Sequence, residues 1–251
     1  MRVRWLSLVI CCLCGVLAAC TTVHGDARQP IPMHLVPAPA PAHRLMVVLP
    51  GRGDDLRALE RSGVAATIQQ AWPDTDVLLA EANMAYYEEG RVTRRLHDEV
   101  VMPALARHHY AQVWMAGASL GGMGTLLYDQ DWPGTLDGLV LLAPYLGEPA
   151  TTDAIRASGG LARWDPTPAP ANATAWEARQ RELWRHLQGW LRDPAQARRA
   201  WLAVGTQDRL RPSIELLMPA LPANHVVVPP GGHAWSTWTP ATGVLLRRAR
   251  N

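Results

Sequence analysis

Gln112-Val113-Trp114-Met115-Ala116-Gly117-Ala118-Ser119-Leu120-Gly121-Gly122-Met123-Gly124-Thr125 is the stretch whose reading decides the fold. Val113 to Ala116 is a short apolar run, of the length and composition of a buried strand. It meets Gly117-Ala118-Ser119-Leu120-Gly121, a G-x-S-x-G, and a helix-like segment follows from Gly122 to Tyr128. Strand, tight turn and helix form the context that a nucleophile elbow requires. A serine thrust out of such a turn has its neighbours two positions away crowded against adjacent chain, where a Cβ would clash. The helix that follows points its first N–H groups at the same spot, which favours developing negative charge. Without its context the pentapeptide would equally describe a small-residue turn closing a strand.

Outward from the elbow, strands alternate with helical segments. Leu45 to Leu49 is a continuous apolar run, expected of a strand covered on both faces. Pro50-Gly51-Arg52-Gly53-Asp54-Asp55 breaks it, and Asp54 or Asp55 is placed to cap a helix running to about Ala71. Val77 to Ala80 is the next strand. A loop with Tyr86 and Tyr87 and a helix from about Gly90 to His108 lead to the elbow. Leu136 to Leu142, Ala200 to Val204 and His225 to Val228 are further strands, and a last helix runs from about Thr239 to Arg248. This alternation predicts an α/β protein with a mostly parallel sheet of about six to seven strands and helices on both faces. Residues 146–198 interrupt it as a helical cap insertion. Its helix, from about Thr174 to Leu191, carries Trp176, Leu183, Trp184, Leu187 and Trp190 at near-helical spacing. That face packs on the domain, lines an acyl or aromatic pocket, or does both.

The chain of 251 residues is 48% hydrophobic and 18% charged, enough to bury a sizeable core. Residues 1–19 read as a leader: Arg2 and Arg4, an apolar run from Trp5 to Leu17, then Ala18-Ala19. The run is too short to span a membrane comfortably. Leu17-Ala18-Ala19-Cys20 resembles the bacterial lipobox, in which the cysteine is lipidated and becomes the first mature residue. That resemblance implies membrane attachment through Cys20 in a bacterial envelope, and Thr21 points to the outer membrane. The alternative is a plain secretory peptide that contains cysteine. Residues 20–43, with Pro30, Pro32, Pro37, Pro39 and Pro41, read as a Pro-rich tether, although Met33 to Val36 has the composition for a short edge strand. The folded domain is expected to span 44–251. All four cysteines lie at or before position 20, so no disulfide framework and no cysteine zinc site are expected within it. Without Arg2 and Arg4 the formal charge falls from +2 to about 0, which argues against nucleic acid as a partner.

In parallel sheets ligands sit beyond the carboxyl ends of the strands. After the 200–204 strand comes Gly205-Thr206-Gln207-Asp208, and after the 225–228 strand Pro229-Pro230-Gly231-Gly232-His233. Serine, then acid, then histidine is the chain order of a hydrolase triad on such a sheet. From about Arg44 to the end, the chain resembles the α/β-hydrolase superfamily in its serine esterase and lysophospholipase-like region. The resemblance implies Ser119 as nucleophile, His233 as general base and acid, and Asp208 as the carboxylate that orients the ring. It also implies two backbone oxyanion donors, Leu120 N–H and, matching Pro50-Gly51-Arg52-Gly53 to the family's His-Gly-x-Gly turn, Arg52 N–H. Pro50 departs from that pattern, but the histidine it replaces is not itself the donor.

Other candidates are weighed against these. Glu148, after the 136–142 strand, is a reserve acid, and Asp208 has the alternative role of capping the segment near Pro212. His97, His108, His109 and His186 fall in helical segments and His225 on a strand, where packing or surface roles are expected. The Arg52-Gly53-Asp54 tripeptide and the Asn172-Ala173-Thr174 sequon carry no weight here, and Arg247, Arg248 and Arg250 complement the last helix's dipole. No cofactor fingerprint and no metal cluster is present. The expected substrate is a small carboxylic ester or lipid, with a monomer as the default state. The same triad would also serve a thioesterase or acyltransferase, and a non-catalytic envelope protein on this scaffold is the remaining alternative.

Overall fold

The computed structural model describes residues 25–167 and 172–250. The stretch read as a leader, with the lipobox-like run to Cys20, lies outside them. Seven strands form one sheet in the order β1-β3-β2-β4-β5-β6-β7. These are β1 Met33–Val36, β2 Arg44–Leu49, β3 Thr75–Ala80, β4 Gln112–Ala118, β5 Gly138–Leu142, β6 Ala200–Ala203 and β7 Val226–Val227. All pairs are parallel except β1 with β3. From Leu45 to Leu49 every residue of β2 is buried, as is every residue of β5 and β6, so the continuous apolar runs reflect a sheet covered on both faces. The expected α/β architecture, with its helical insertion after β5, is the one observed.

Apart from single turns at Pro194–Ala197 and Arg211–Ile214, the helices are α1 Leu56–Arg61, α2 Val64–Ala71 and α3 Met84–Glu88, then α4, which joins Val92–Arg95, a π-helical turn Leu96–Val101 and Met102–Arg107. After them come α5 Leu120–Asp131, α6 Pro149–Ala157, α7 Ala175–Trp190 and α8 Trp235–Ala249. Several differ from the sequence reading. The helix expected to run unbroken to Ala71 is two, because Gly63 adopts φ 71° between them. Tyr86 and Tyr87 lie in α3 rather than in a loop, and both are buried. His108 and His109 fall just beyond α4, and His225 lies in a 3-10 turn rather than on a strand. The last helix begins at Trp235, four residues before the expected start, with Pro240 inside it. The proline removes one backbone donor, while the extra turn buries Trp238.

The Pro-rich segment also behaves differently from a tether over its described part. Ile31 is 2% exposed, and its N–H donates to Glu99 Oε2 at 2.9 Å. Arg95 donates to the carbonyl oxygens of Ala27 and Gln29, and Tyr86 Oη to that of Pro30 at 3.2 Å. β1 then runs antiparallel to β3, from Met33 opposite Ala80 to Val36 opposite Val77. Proline is compatible with this because an edge strand has one side free of partners.

The chain passes from β2 to β3 on one side and returns with β4 on the other, so the sheet reverses direction of travel between β2 and β4. Such a switch point leaves a crevice beyond the strand ends. The loop after β2 and the elbow after β4 face each other across it. At the opposite end, Asp129 near the end of α5 is buried and receives two bonds from Arg199, at 2.9 and 3.1 Å. Arg199 also reaches the Leu136 carbonyl oxygen at 2.9 Å, which joins the elbow helix to the starts of β5 and β6. Burial alone would raise the Asp129 carboxyl's pKa, but the nearby His186 ring, 3.7 Å away, and the bonded Arg199 guanidinium hold it below its usual 3.8.

A carboxylate held down in this way stabilises the fold above about pH 3.8, and that contribution is lost as pH falls through the lowered value. Asp129→Asn is therefore expected to cost about 3 kcal/mol at neutral pH, leaving Arg199 without its anion. Urea unfolding at pH 7 and at pH 3 checks this: the difference between variant and wild type should shrink at the lower pH.

Candidate active site

β4 delivers Ser119 into the crevice in a backbone conformation that L-residues avoid, φ 51° and ψ −112°. Such a conformation costs on the order of 1–3 kcal/mol and persists only when its surroundings hold it. Here Ser119 N–H donates to the Leu142 carbonyl oxygen at 2.8 Å, and the Ser119 carbonyl oxygen accepts from Tyr145 N–H at 2.8 Å. The flanking glycines are needed for contact distance. A Cβ on Gly117 would lie 2.1 Å from the Gly121 carbonyl oxygen, and one on Gly121 would lie 2.5 Å from that of Pro50. The sequence pattern G-x-S-x-G is thus a record of two close backbone approaches.

The acid and histidine loops meet in the same manner. Gln207 N–H donates to the Gly231 carbonyl oxygen at 2.9 Å, and Thr206 N–H to that of Pro229 at 2.9 Å. A Cβ on Gly205 would come within 2.3 Å of the Gly231 oxygen. With the loops so joined, His233 Nδ1 lies 2.9 Å from both Asp208 carboxylate oxygens, and His233 Nε2 lies 2.8 Å from Ser119 Oγ. Asp208 also accepts from Leu210 N–H at 2.8 Å, so orienting the histidine and capping a turn are one arrangement rather than alternatives. The Asp208 side chain is fully buried and that of His233 is 13% exposed. Beneath the imidazole, Trp238 packs edge to face with centroids 4.7 Å apart. Trp235 packs on Trp238 and donates to Asp54 Oδ2 at 2.9 Å, linking the histidine's helix to the loop after β2.

That loop supplies the other wall. A Cβ built on Gly51 would stand 3.7 Å from Ser119 Cβ, so the Gly51-Arg52 turn passes directly over the serine. Leu120 N–H is the first of α5, and among the described residues neither it nor Arg52 N–H has an acceptor in the chain. Arg52 and Leu120 line one cavity with Ser119, at the N-terminus of α5.

A cavity of about 300 Å³ opens at the serine, lined by Arg52, Met84, Leu120, Tyr145, Glu148, Trp176, Arg209 and Leu210. Glu148, the reserve acid, does not bond to His233; it accepts from Tyr145 Oη at 2.5 Å, and its N–H donates to Gln180. Burial, then the adjacent Glu148 carboxylate, raises the Tyr145 phenol well above its ordinary range, so it remains a donor at neutral pH. Of the tryptophans on α7, only Trp176 reaches the cavity. Trp184 and Trp190 are buried on the domain, and Trp184 Nε1 donates to the Leu146 carbonyl oxygen at 2.7 Å. Trp176 meets the expectation of a pocket wall, whereas Met84, Tyr145 and Arg209 escaped the sequence reading because separate loops and helices bring them together, with no shared motif to mark them. Among the described residues no cluster of three His, Cys, Asp or Glu side chains could hold a metal ion.

Gly121→Ala is expected to destabilise the protein by at least about 1–3 kcal/mol, since its Cβ would press on the backbone of Leu49 and Pro50 rather than on a movable side chain. Thermal unfolding of the purified variant measures the loss; an unchanged midpoint would contradict the close approach.

No protein-family model and no curated protein sequence matches the chain. Solved structures do. Est1E from Butyrivibrio proteoclasticus superposes with a TM-score of 0.61 at 15% identity, over 90% of this chain and 96% of that one. S-formylglutathione hydrolase FrmB from Staphylococcus aureus gives 0.57 at 15% identity, over 90% and 100%. Dienelactone hydrolase from Anabaena variabilis gives 0.54 at 16% identity, over 90% and 94%. At these identities the likeness is one of architecture, and with the sheet order and the elbow it shows that this chain has the α/β-hydrolase fold.

Proposed function

We propose that the protein is a serine hydrolase that cleaves carboxylic esters through an acyl-enzyme. The observation that carries the reading is the unbroken chain from Ser119 Oγ to His233 Nε2 at 2.8 Å and from His233 Nδ1 to Asp208 at 2.9 Å. Serine alone is a weak nucleophile and needs a base within hydrogen-bond reach. His233 takes the Ser119 proton as Oγ attacks the ester carbonyl, and Asp208 holds the ring and stabilises the imidazolium. The carbonyl oxygen, now negative, is met by Leu120 N–H and Arg52 N–H. Collapse of the tetrahedral intermediate expels the alkoxide, which His233 protonates. Water then enters, gives its proton to His233 and attacks the acyl-enzyme; as the second tetrahedral intermediate collapses, the bond to Ser119 Oγ breaks, His233 returns the proton to Oγ and the acid is released. Each side chain acts from the end of a different strand.

Two of the solved structures of similar fold are named as hydrolases, which is in keeping with this reading. Ser119→Ala is expected to lower kcat/KM on p-nitrophenyl esters by roughly 10⁴-fold or more. A fluorophosphonate probe should label wild type at Ser119 and leave the variant unlabelled. Wild-type turnover in the variant, or labelling at another residue, would overturn the assignment.

The anchoring belongs to the same proposal. Leu17-Ala18-Ala19-Cys20 supports lipidation of Cys20 and attachment to a bacterial envelope membrane, more specifically the outer one. Cys20→Ser is expected to abolish incorporation of labelled palmitate and to move the protein from the membrane to the soluble fraction on cell fractionation.

A further inference from the structure

The cavity at Ser119 has an imbalance of charge. Two guanidinium groups line it, Arg52 from the loop after β2 and Arg209 from the loop after β6. Both residues are exposed, and among the described residues neither meets a carboxylate or any other hydrogen-bond partner. Several other arginines do have carboxylate partners, among them Arg44 with Asp74, Arg179 with Asp131 and Arg199 with Asp129. The acid that lines the same cavity, Glu148, already accepts the short bond from Tyr145.

Both arginines stand on fixed backbone. Arg52 sits inside the turn closed by Asp54 N–H to the Gly51 carbonyl oxygen at 3.2 Å. Arg209 sits inside the turn closed by Arg211 N–H to the Asp208 carbonyl oxygen at 3.1 Å, with Leu210 N–H on the Asp208 carboxylate. Their points of departure are therefore set by the same loops that set the triad geometry. The remaining wall is largely apolar, with Met84, Leu120, Trp176 and Leu210. A guanidinium fork matches a carboxylate or phosphate, and an apolar wall beside it keeps part of the charge out of water.

We propose that the ester cleaved here carries an anionic group, a carboxylate or phosphate, that engages Arg52 and Arg209 while the reacting carbonyl sits at Ser119. This rests on the serine-hydrolase reading and narrows its substrate class. The anion resides either on the acyl part or on the alcohol part of the ester, and the two placements are separable. The electrostatic gain acts at an open cavity, so it is moderate and falls with salt.

Two ester pairs test this. Mono-p-nitrophenyl succinate against its methyl-capped diester places the charge on the acyl part. The 4-acetoxybenzoate anion against its methyl ester places it on the alcohol part. Wild type is expected to favour the anionic member of one pair by about tenfold in kcat/KM at low salt. The preference should shrink towards unity in 1 M sodium chloride, where the screening length is about 3 Å. Arg209→Gln should lower that ratio, and Arg209→Glu should reverse it. Equal rates within both pairs, a salt-independent ratio, or an unchanged ratio in Arg209→Glu would each overturn the proposal. Calorimetric titration of Ser119→Ala protein with the same esters reads binding without turnover. If wild type cleaves none of the esters but the variant still prefers the anion, the cationic subsite stands and the hydrolase reading falls. If both members of each pair are cleaved alike, the hydrolase reading stands and the anionic substrate falls.

Discussion

At the centre of the molecule Gly121 N–H donates to the Pro50 carbonyl oxygen at 3.0 Å, across a gap too narrow for any side chain on Gly121. That bond ties the elbow after β4 to the loop after β2 at the one place where the sheet changes direction. The strained Ser119 backbone, the position of the Gly51-Arg52 turn over the serine and the aim of α5 all depend on it. Burial of the strands around it, with Leu45 to Leu49 and Leu139 to Leu142 inaccessible to solvent, supplies the stability that holds an unfavourable φ in place.

The site divides into two halves. One is the elbow with the β2 loop. The other is the pair of loops after β6 and β7, stitched together by Thr206 and Gln207 before either touches the serine. Asp208 and His233 thus form a unit of their own, and the contact from His233 Nε2 to Ser119 Oγ joins it to the first half. A second tie runs behind the imidazole, where Asp54 on the β2 loop accepts from Trp235 on the histidine's helix. The two halves are held from both sides of the contact between His233 and Ser119. Preorganisation of this kind is what lets fixed dipoles act on a developing charge without first having to turn.

How much of this was legible in the residues depended on range. Ser119, Asp208 and His233 announced themselves because each follows a strand of unmistakable apolar run, and because the glycines around them encode close approaches in a few adjacent letters. The edge strand Met33–Val36 was readable from composition, but its docking was not, since Glu99, Arg95 and Tyr86 come from far along the chain. The break at Gly63 turned on one positive φ, for which a glycine in a helical pattern gives only a weak cue. Trp176, Trp184 and Trp190 looked alike at helical spacing; only packing sent two into the core and one to the cavity. The cavity wall is the least local feature and was the least visible.

The seating of residues 25–36 also fixes a length. With Ile31 buried against α4, a lipid on Cys20 would be joined to the domain by no more than eleven residues, which span at most roughly 36–40 Å when fully extended. The full Pro-rich segment to residue 43 would have allowed about twice that reach. Under the proposed anchoring, the domain is therefore moored by the outer edge of its sheet within a shallow layer above the bilayer. Substrates would have to reach its catalytic crevice within that layer, whether from the membrane surface or from the water just above it.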